Sequence, residues 1–329
     1  MTNGLDIIGD VHGCATQLQQ LLDRLGYTVD PASGAYRHPQ RRAVFVGDLI
    51  DRGPEQREVL ELVKAMVDGG SADVVMGNHE FNAIAYATPD PNRPNKFLRD
   101  HNEKNTAQHA AFLHQLDDTE REYYLDWFKT LPLWLDYGQV RVVHACWHAE
   151  SMRVVENRCG GNRLTDEHIV DAATKGNDLY RAVEVLLKGP EISLTNYGQQ
   201  PYLDKEGHRR TEARVRWWDP DATTLRDLAD VRGVRTETKD PYPELPELEI
   251  DPHEGRTFVY IDRVPLFYGH YWRSWDNHQE DWTAYTACVD FSAVAKGPLV
   301  AYRWNGEPTI TWENYVPHDP EVVAPSPSA

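Results

Sequence analysis

The chain carries, at residues 43–54, the stretch Ala43-Val44-Phe45-Val46-Gly47-Asp48-Leu49-Ile50-Asp51-Arg52-Gly53-Pro54. Its first four residues are apolar, which predicts a short buried strand. The glycines, aspartates and proline that follow predict that the strand opens into a turn. Carboxylates at the mouth of a buried strand are costly unless a cation meets them. A metal ion at Asp48, with Arg52 holding an anion beside it, would meet that need. The alternative is a capped loop with a local Asp–Arg ion pair, and this stretch alone does not separate the two.

The order of strand, polar turn and amphipathic helix occurs three times at the start of the chain. Strands are predicted at Leu5–Ile8, Ala43–Val46 and Val74–Met76, and apolar residues at helical spacing follow each of them. Such alternation favours an α/β fold with a sheet flanked by helices. In folds of this type the functional site gathers at the carboxyl ends of the strands.

Strands are also predicted in the second half of the chain. Their expected antiparallel pairing implies a second sheet or an extended mixed one. They are Leu133–Leu135, Val140–Val143, Phe258–Ile261, Leu266–Tyr268, Tyr285–Val289, Leu299–Trp304 and, after a turn at Gly306, Thr309–Trp312.

Two segments interrupt the strands and are predicted to be insertions on the substrate side. The first, at about 88–130, begins with three prolines and continues with a helical pattern. The second, at about 150–256, contains one long helical pattern, Thr165–Lys188, and then a section rich in loops, proline and charge. Because residues needed for the site lie on both sides of it, we predict a single domain over residues 1–317. Residues 318–329 are predicted to be a disordered tail.

Composition excludes several classes of protein. The 329 residues are 40% hydrophobic and 26% charged, as in ordinary globular enzymes. A formal net charge of −18 disfavours binding to polymeric nucleic acid or to an anionic membrane. No apolar run approaches the ~18 residues that a membrane span needs, and no signal segment precedes Asp6. The four cysteines are scattered, which fits a reducing compartment, so we expect a cytoplasmic protein.

Five predicted strand ends carry side chains of the kind that bind metal ions. They are Asp10 and His12, Asp48 and Asp51, Asn78 and His79, His144, and His270. Any one of them alone would be an ordinary capping or buried polar group. Five separate strand ends delivering such side chains are harder to explain by chance. Oxygen and imidazole ligands without thiolates suit Mn²⁺, Fe or Zn²⁺ better than a structural zinc site.

Three of these segments resemble a known family. Gly9-Asp10-Val11-His12-Gly13, Gly47–Gly53 and Gly77-Asn78-His79-Glu80 are similar to the three blocks of the calcineurin-like metallophosphoesterases. More narrowly, they resemble the phosphoprotein phosphatase branch, with the patterns GDxHG, GDxVDRG and GNHE, and Ile50 replaces a valine. The resemblance implies a layered α-β-β-α sandwich of mixed sheets with helical insertions.

The resemblance also implies a centre of two divalent metal ions, with Mn²⁺ expected and Fe or Zn²⁺ as alternatives. Asp48 would bridge the two ions, and a water between them would become the attacking hydroxide. The ligands implied are Asp10 and His12 for the first ion, Asp48 for both, and Asn78, His144 and His270 for the second.

By the same similarity, three further residues would act on the substrate. His79 would protonate the leaving group, Asp51 would orient His79, and Arg52 would bind phosphate oxygens. The second phosphate-binding arginine of the family has no clear match here. Arg232 is a weak candidate and Arg216 a competing one, although a surface role is favoured over both.

The substrate is left open by these blocks. The first hypothesis is a phosphomonoesterase acting on phosphoserine or phosphothreonine proteins or on small phosphate esters. The second is a symmetrical dinucleoside tetraphosphate hydrolase, and the third is a non-catalytic phosphate-binding module. The aromatic residues that follow His270 are suited to stacking on a nucleobase, but core packing is favoured for most of them. They are Trp272, Trp275, Trp282 and Tyr285. The oligomeric state is also left open.

Overall fold

The computed structural model describes residues 4–204, 207–275, 282–319 and 321. Within them the chain forms mixed sheets covered by helices. The strands are β1 (Gly4–Ile8), β2 (Thr28–Val29), β3 (Tyr36–Arg37), β4 (Arg41–Phe45), β5 (Ala72–Val74), β6 (Trp134–Asp136), β7 (Arg141–Val143), β8 (Glu191–Ser193), β9 (Tyr202–Leu203), β10 (Arg209–Arg210), β11 (Glu212–Val215), β12 (Ala229–Asp230), β13 (Leu266–Tyr268), β14 (Thr286–Cys288), β15 (Val300–Trp304) and β16 (Tyr315–Pro317).

The helices separate these strands and cover the sheets. They are α1 (Ala15–Leu25), α2 (Gln56–Asp68), α3 (Asn78–Ala87), α4 (Glu103–Gln108), α5 (Ala110–Gln115), α6 (Asp118–Lys129), α7 (Ala149–Cys159), α8 (Asp166–Ala173), α9 (Asp178–Lys188) and α10 (Leu225–Leu228). None of the helices in the described part of the chain is both long enough and apolar enough to span a bilayer.

The first sheet has the order β16-β15-β1-β4-β5. Strands β1, β4 and β5 run parallel, as the alternation of strands and helices predicted, and β15 and β16 add antiparallel neighbours. Helix α1 ends at Gly26, whose φ of 85° is a left-handed conformation that glycine adopts without strain.

The second sheet has the order β14-β13-β7-β6. The prediction of antiparallel late strands is wrong for its centre, because β13 runs parallel to both β7 and β14. Short β-branched runs do not reveal direction, and parallel pairing needs only that the intervening chain cross over. The consequence is that the carboxyl ends of β7, β13 and β14 lie at one edge.

The two sheets pack face to face. Leu5 and Ile7 of β1 share an apolar cluster with Val142 of β7 and Phe267 of β13. Ile8, which points to the other side of β1, belongs to the cluster that contains the apolar faces of α1 and α2. Helices therefore cover the outer faces, and the predicted α-β-β-α arrangement is confirmed.

The structure has two helices where the sequence predicted one. The pattern at Thr165–Lys188 breaks between α8 and α9, where the side chain of Asn177 accepts a hydrogen bond from the backbone N–H of Tyr180 and caps α9. The same side chain donates to the carbonyls of Asp171 and Thr174 and so closes α8. Helix α7, immediately before this pair, was not predicted.

Two of the predicted strands do not form, although the structure describes their residues. Phe258–Ile261 follows a 3₁₀ turn and makes a backbone bond from Tyr260 N–H to the carbonyl of Trp217. Thr309–Trp312 runs into another 3₁₀ turn, and the strand that pairs with β15 is β16 instead. Both stretches are rich in β-branched and aromatic residues, but their backbone groups find other partners.

The predicted insertions have different contents. Residues 88–130 contain α4, α5 and α6, whereas residues 150–256 contain α7 to α10 and a small sheet of the order β12-β11-β8. The predicted single domain and its insertions remain predictions. Of the predicted tail, only residues 318, 319 and 321 lie within the described residues.

Candidate metal centre

The site lies where six strand ends meet, three from each sheet. Asp10 and His12 follow β1, Asp48 and Asp51 follow β4, and Asn78 and His79 begin α3 beyond β5. From the second sheet come His144 after β7, His270 after β13 and Asp290 after β14. All but the partly buried His270 are buried, although polar groups of this kind usually lie at the surface.

Backbone strain is concentrated in these loops. Non-glycine residues with left-handed backbone are His12 (φ 45°), Asp48 (51°), Asp51 (70°), Arg52 (68°) and His270 (64°). Each such conformation costs roughly 1–3 kcal/mol and persists only where the surrounding structure enforces it. Strain of this kind is typical of a site whose side chains must be aimed at one point.

Glu80 holds two of the loops together. Its carboxylate accepts hydrogen bonds from the backbone N–H groups of Asp48 (2.9 Å), Leu49 (2.8 Å) and Gly77 (2.9 Å). Gly77 is required at this point, because a Cβ there would lie 2.3 Å from the backbone nitrogen of Asp48. The position of Asp48 is therefore set from both sides.

Asp48 is shared by two groups of candidate ligands. His12, Asp48 and His79 place ligand atoms within 4.8 Å of one another, and so do Asp48, His144 and His270. Asn78 extends the second group, since its Oδ1 lies 3.0 Å from His144 Nε2 and 2.8 Å from His270 Nδ1.

Two histidines of these groups, His12 and His144, are held as neutral ligands. His12 and His144 each donate Nδ1–H to a backbone carbonyl, of Ile50 and Val46 respectively, at 2.7 Å. The neutral ring then presents an Nε2 lone pair to Asp48, as metal-binding histidines do. Burial lowers the pKa of His12 to about 3 and also lowers the pKa of His144, which keeps both rings uncharged.

Several lone pairs face one another without a proton between them. His144 Nε2 meets Asn78 Oδ1, and it also lies 3.5 Å from Asp48 Oδ1. His270 Nε2 is buried and has no hydrogen-bond partner among the residues that the structure describes. Buried acceptors without donors are costly, and a cation among them removes that cost. The donor set therefore fits two divalent ions that share Asp48.

Asp10 lies in neither group of three. Its carboxylate accepts a weak hydrogen bond from the backbone N–H of His270 at 3.2 Å. Burial, Asp290 and Asp48 all raise the pKa of Asp10 well above its usual range. Three carboxylates thus repel one another here, and a bound cation would relieve that repulsion.

His79 is placed to carry a proton. Its Nδ1 lies 2.6 Å from Asp51 Oδ2, and its Nε2 lies 3.9 Å from Asp48 Oδ2. Burial lowers the pKa of His79, but Asp48 and Asp51 raise it by more, so that it stands above the ordinary histidine value. The ring therefore keeps Nε2–H available toward the site.

The arginines that were predicted as phosphate ligands lie in different surroundings. Arg52 is exposed beside the site and acts electrostatically on Asp10 and His12. Arg232 is paired with Asp230 at 2.9 Å, and Arg216 lies 3.9 Å from Asp219.

A different arginine acts on the metal-type histidines. Arg214 of β11 is half-buried over the ring of Tyr271, with its guanidinium carbon 5.5 Å from the ring centroid. After burial, its charge is the largest influence that lowers the pKa of His270, and it also lowers the pKa of His144.

Sequence reasoning therefore missed four residues of the site. Asp290 obeys the rule that found the others, because it directly follows a strand that was predicted. Glu80 stands in one of the three family-like blocks, but its hydrogen bonds are tertiary. Arg214 and His109, whose Nδ1 lies 2.8 Å from Asp51 Oδ1, fall inside the two predicted insertions, where the sequence shows no signal for their positions.

Comparisons with known proteins show which family the chain belongs to. The calcineurin-like phosphoesterase family matches residues 5–270 of the 329. An asymmetrical bis(5'-nucleosyl)-tetraphosphatase of Oceanobacillus iheyensis is 33% identical over 143 residues, which are 43% of this chain and 54% of that protein. The chain thus spans about half the length of this curated relative.

Two more distant matches span more of the chain. A symmetrical bis(5'-nucleosyl)-tetraphosphatase of a Marinomonas species is 27% identical over 252 residues, covering 71% of this chain and 73% of that one. The structure of a serine/threonine phosphatase from Saccharomyces cerevisiae covers 95% of this chain and 78% of its own, at 12% identity and a TM-score of 0.43. From the match over residues 5–270, the chain belongs to the calcineurin-like phosphoesterase family.

Proposed function

We propose that the protein is a phosphoester hydrolase that depends on two divalent metal ions, with Mn²⁺ as the native ion. The observation that carries the proposal is the position of Asp48 between the neutral imidazole of His12 on one side and those of His144 and His270 on the other. The residues that would hold the ions are Asp10, His12, Asp48, Asn78, His144 and His270. When bound, the ions supply Lewis acidity toward phosphate oxygens and toward a water molecule.

The chain's own residues supply the remaining chemistry. His79 donates the proton on Nε2 to the departing oxygen, and Asp51 holds the ring by its Nδ1. Arg52 binds phosphate oxygens from the solvent side, and Arg214 does so from the side of His270.

Phosphomonoesters, including phosphoserine and phosphothreonine proteins, are the first proposed substrates. A dinucleoside tetraphosphate is the second, and the names of the curated relatives favour it. Of the four aromatic residues predicted beyond His270, Trp272 is 44% exposed, whereas Trp275 is buried and Trp282 and Tyr285 are partly buried against the core. Trp272 is therefore the aromatic side chain suited to a nucleobase.

The test is turnover by metal-free protein to which Mn²⁺ has been restored. p-Nitrophenyl phosphate, a phosphothreonine peptide and diadenosine tetraphosphate are compared at equal concentration, with nucleotide products separated by chromatography. We expect Mn²⁺-dependent hydrolysis, and two ADP molecules from the dinucleotide would mark symmetrical cleavage. Two bound ions without turnover of any of the three would overturn the proposal.

A further inference from the structure

Asp51 holds a histidine on each of its two oxygens. Oδ2 lies 2.6 Å from His79 Nδ1, and Oδ1 lies 2.8 Å from His109 Nδ1. His109 stands 58 residues further along the chain, between α4 and α5 in the predicted insertion at 88–130. The block that contains Asp51 therefore receives a partner from outside the three family-like blocks.

The ring of His109 is held in place by buried packing, so its contact with Asp51 is not a chance contact at the surface. The residue is 5% exposed, and its ring stacks on Phe112 with centroids 4.9 Å apart. Tyr86 of α3 covers it from another direction, with centroids 5.3 Å apart. Because an ionised carboxylate only accepts hydrogen bonds, the Nδ1 of His109 carries the hydrogen of this contact.

The effect on Asp51 is electrostatic as well as geometric. Burial would raise the pKa of Asp51, but the hydrogen bonds from His109 and His79 outweigh it and hold the pKa well below the usual range. Gln56 fixes the backbone of the same residue by accepting from its N–H at 2.7 Å. A carboxylate bound on both oxygens cannot rotate, and so the direction of the His79 ring is fixed too.

We propose that His109 is a positioning residue for proton donation by His79, acting through Asp51, which makes the insertion at 88–130 part of the catalytic apparatus. The inference rests on the proposed function. Misplacing a catalytic group by about 1 Å costs on the order of 10²-fold in rate. The loss should appear where the leaving oxygen needs a proton and be small where it does not.

The test compares His109→Ala, His109→Asn and wild type on an alkyl phosphate, such as a phosphoserine peptide, and on p-nitrophenyl phosphate. We expect His109→Ala to lower kcat on the alkyl ester by roughly 10–100-fold and on the aryl ester by less than about threefold. The asparagine variant keeps an N–H donor near the position of Nδ1 and should recover most of the loss. In a His79→Asn background, His109→Ala should cause little further loss.

His101→Ala is the matched control. His101 belongs to the same insertion and stacks on the same Tyr86, with centroids 3.8 Å apart, while its Nε2 bonds to the carbonyl of Tyr86. The variant removes a ring from the insertion without removing a contact to Asp51, so the ratio of the two rates should stay that of wild type. Metal content and Tm are measured for every variant.

Three outcomes would overturn the inference: equal slowing of both esters, losses that multiply in the His79→Asn background, or the same change of ratio in His101→Ala. A readout without substrate is the Nδ1 proton signal of His79 in nuclear magnetic resonance spectra, which His109→Ala should shift or broaden. An unchanged signal also counts against the inference. Wild-type protein that turns over neither ester would instead contradict the proposed function.

Discussion

Strand β1 brings two aspartates into the interior, and their surroundings differ completely. Asp6, inside the strand, is fully buried, and its oxygens lie 2.9–3.1 Å from Arg41, Arg303 and the hydroxyl of Tyr27. Asp10, two residues beyond the strand, is 3% exposed and has Asp48 and Asp290 as its electrostatic neighbours. One buried charge is compensated by the chain, whereas the other is set among like charges.

This difference separates a structural carboxylate from a functional one. Buried charges are tolerated when they are paired, and Asp6 ties β1 to β4 and β15 in this way. At Asp10 the proposed function assigns the compensation to a bound cation. Burial alone therefore does not single out a candidate functional aspartate, whereas burial among other carboxylates does.

The largest effect should follow from neutralising the shared ligand. Asp48→Asn removes the one carboxylate common to both groups, so we expect metal-dependent turnover to fall by at least about 10³-fold, the equivalent of about 4 kcal/mol. Steady-state kinetics together with metal analysis of the purified variant measure this. A variant with full turnover would remove the shared role of Asp48.

Removing Asp6, the carboxylate that is paired with arginines, should affect stability instead of activity. Asp6→Ala leaves Arg41 largely buried without its partner, and Arg303 partly so, and we expect a loss of about 3 kcal/mol in the free energy of unfolding. Urea unfolding of metal-free protein gives the value. Below the unfolding transition, kcat should be unchanged, and Mn²⁺ should raise Tm by as much as in wild type. Impaired metal binding would show that the surroundings of Asp6 and the metal centre at Asp10 are coupled.

The smallest expected effect is the pH dependence of stability that Asp290, a neighbour of Asp10, contributes. Burial raises the pKa of Asp290 to about 6, so the folded state keeps this proton to higher pH than the unfolded state does. Stability from this group therefore falls as pH rises from about 4 to about 6. Asp290→Asn should make metal-free protein more stable than wild type at pH 7.5, by on the order of 2 kcal/mol. Urea unfolding at pH 4 and pH 7.5 should show the difference shrinking at low pH. A difference that stays constant with pH would show that ionisation of Asp290 is not its cause.

The polar residues at strand ends were predictable because the sequence shows where each apolar run stops and which residue follows it. An apolar run followed, directly or after a glycine, by a carboxylate or a histidine predicts both a strand and the edge at which its polar residue lies, and Asp10, Asp48 and His144 lie at such strand ends. The same rule applied to the predicted strand at Tyr285–Val289 would have found Asp290. Strand direction was not predictable, since β13 and β14 are parallel for reasons of packing.

Contacts made by the insertions were beyond the reach of sequence reasoning. The bond from His109 to Asp51 joins residues 58 positions apart, and nothing in the helical pattern around His109 distinguishes it from His101. Arg214 was not considered as a candidate, because no strand was predicted around it in the section rich in loops. The break at Asn177 was missed because its capping side chain fits the pattern of one continuous helix.

The two ligand groups differ in which layers of the molecule they join. Asp10, His12 and Asp48, the ligands proposed for the first ion, all follow strands of the first sheet, whereas the ligands proposed for the second ion include His144 and His270 from the second sheet. Sliding or parting of the two sheets would therefore dismantle one group and leave the other whole. We expect the two ions to leave in a fixed order under mild denaturing conditions, so that metal release serves as a gauge of the contact between the sheets.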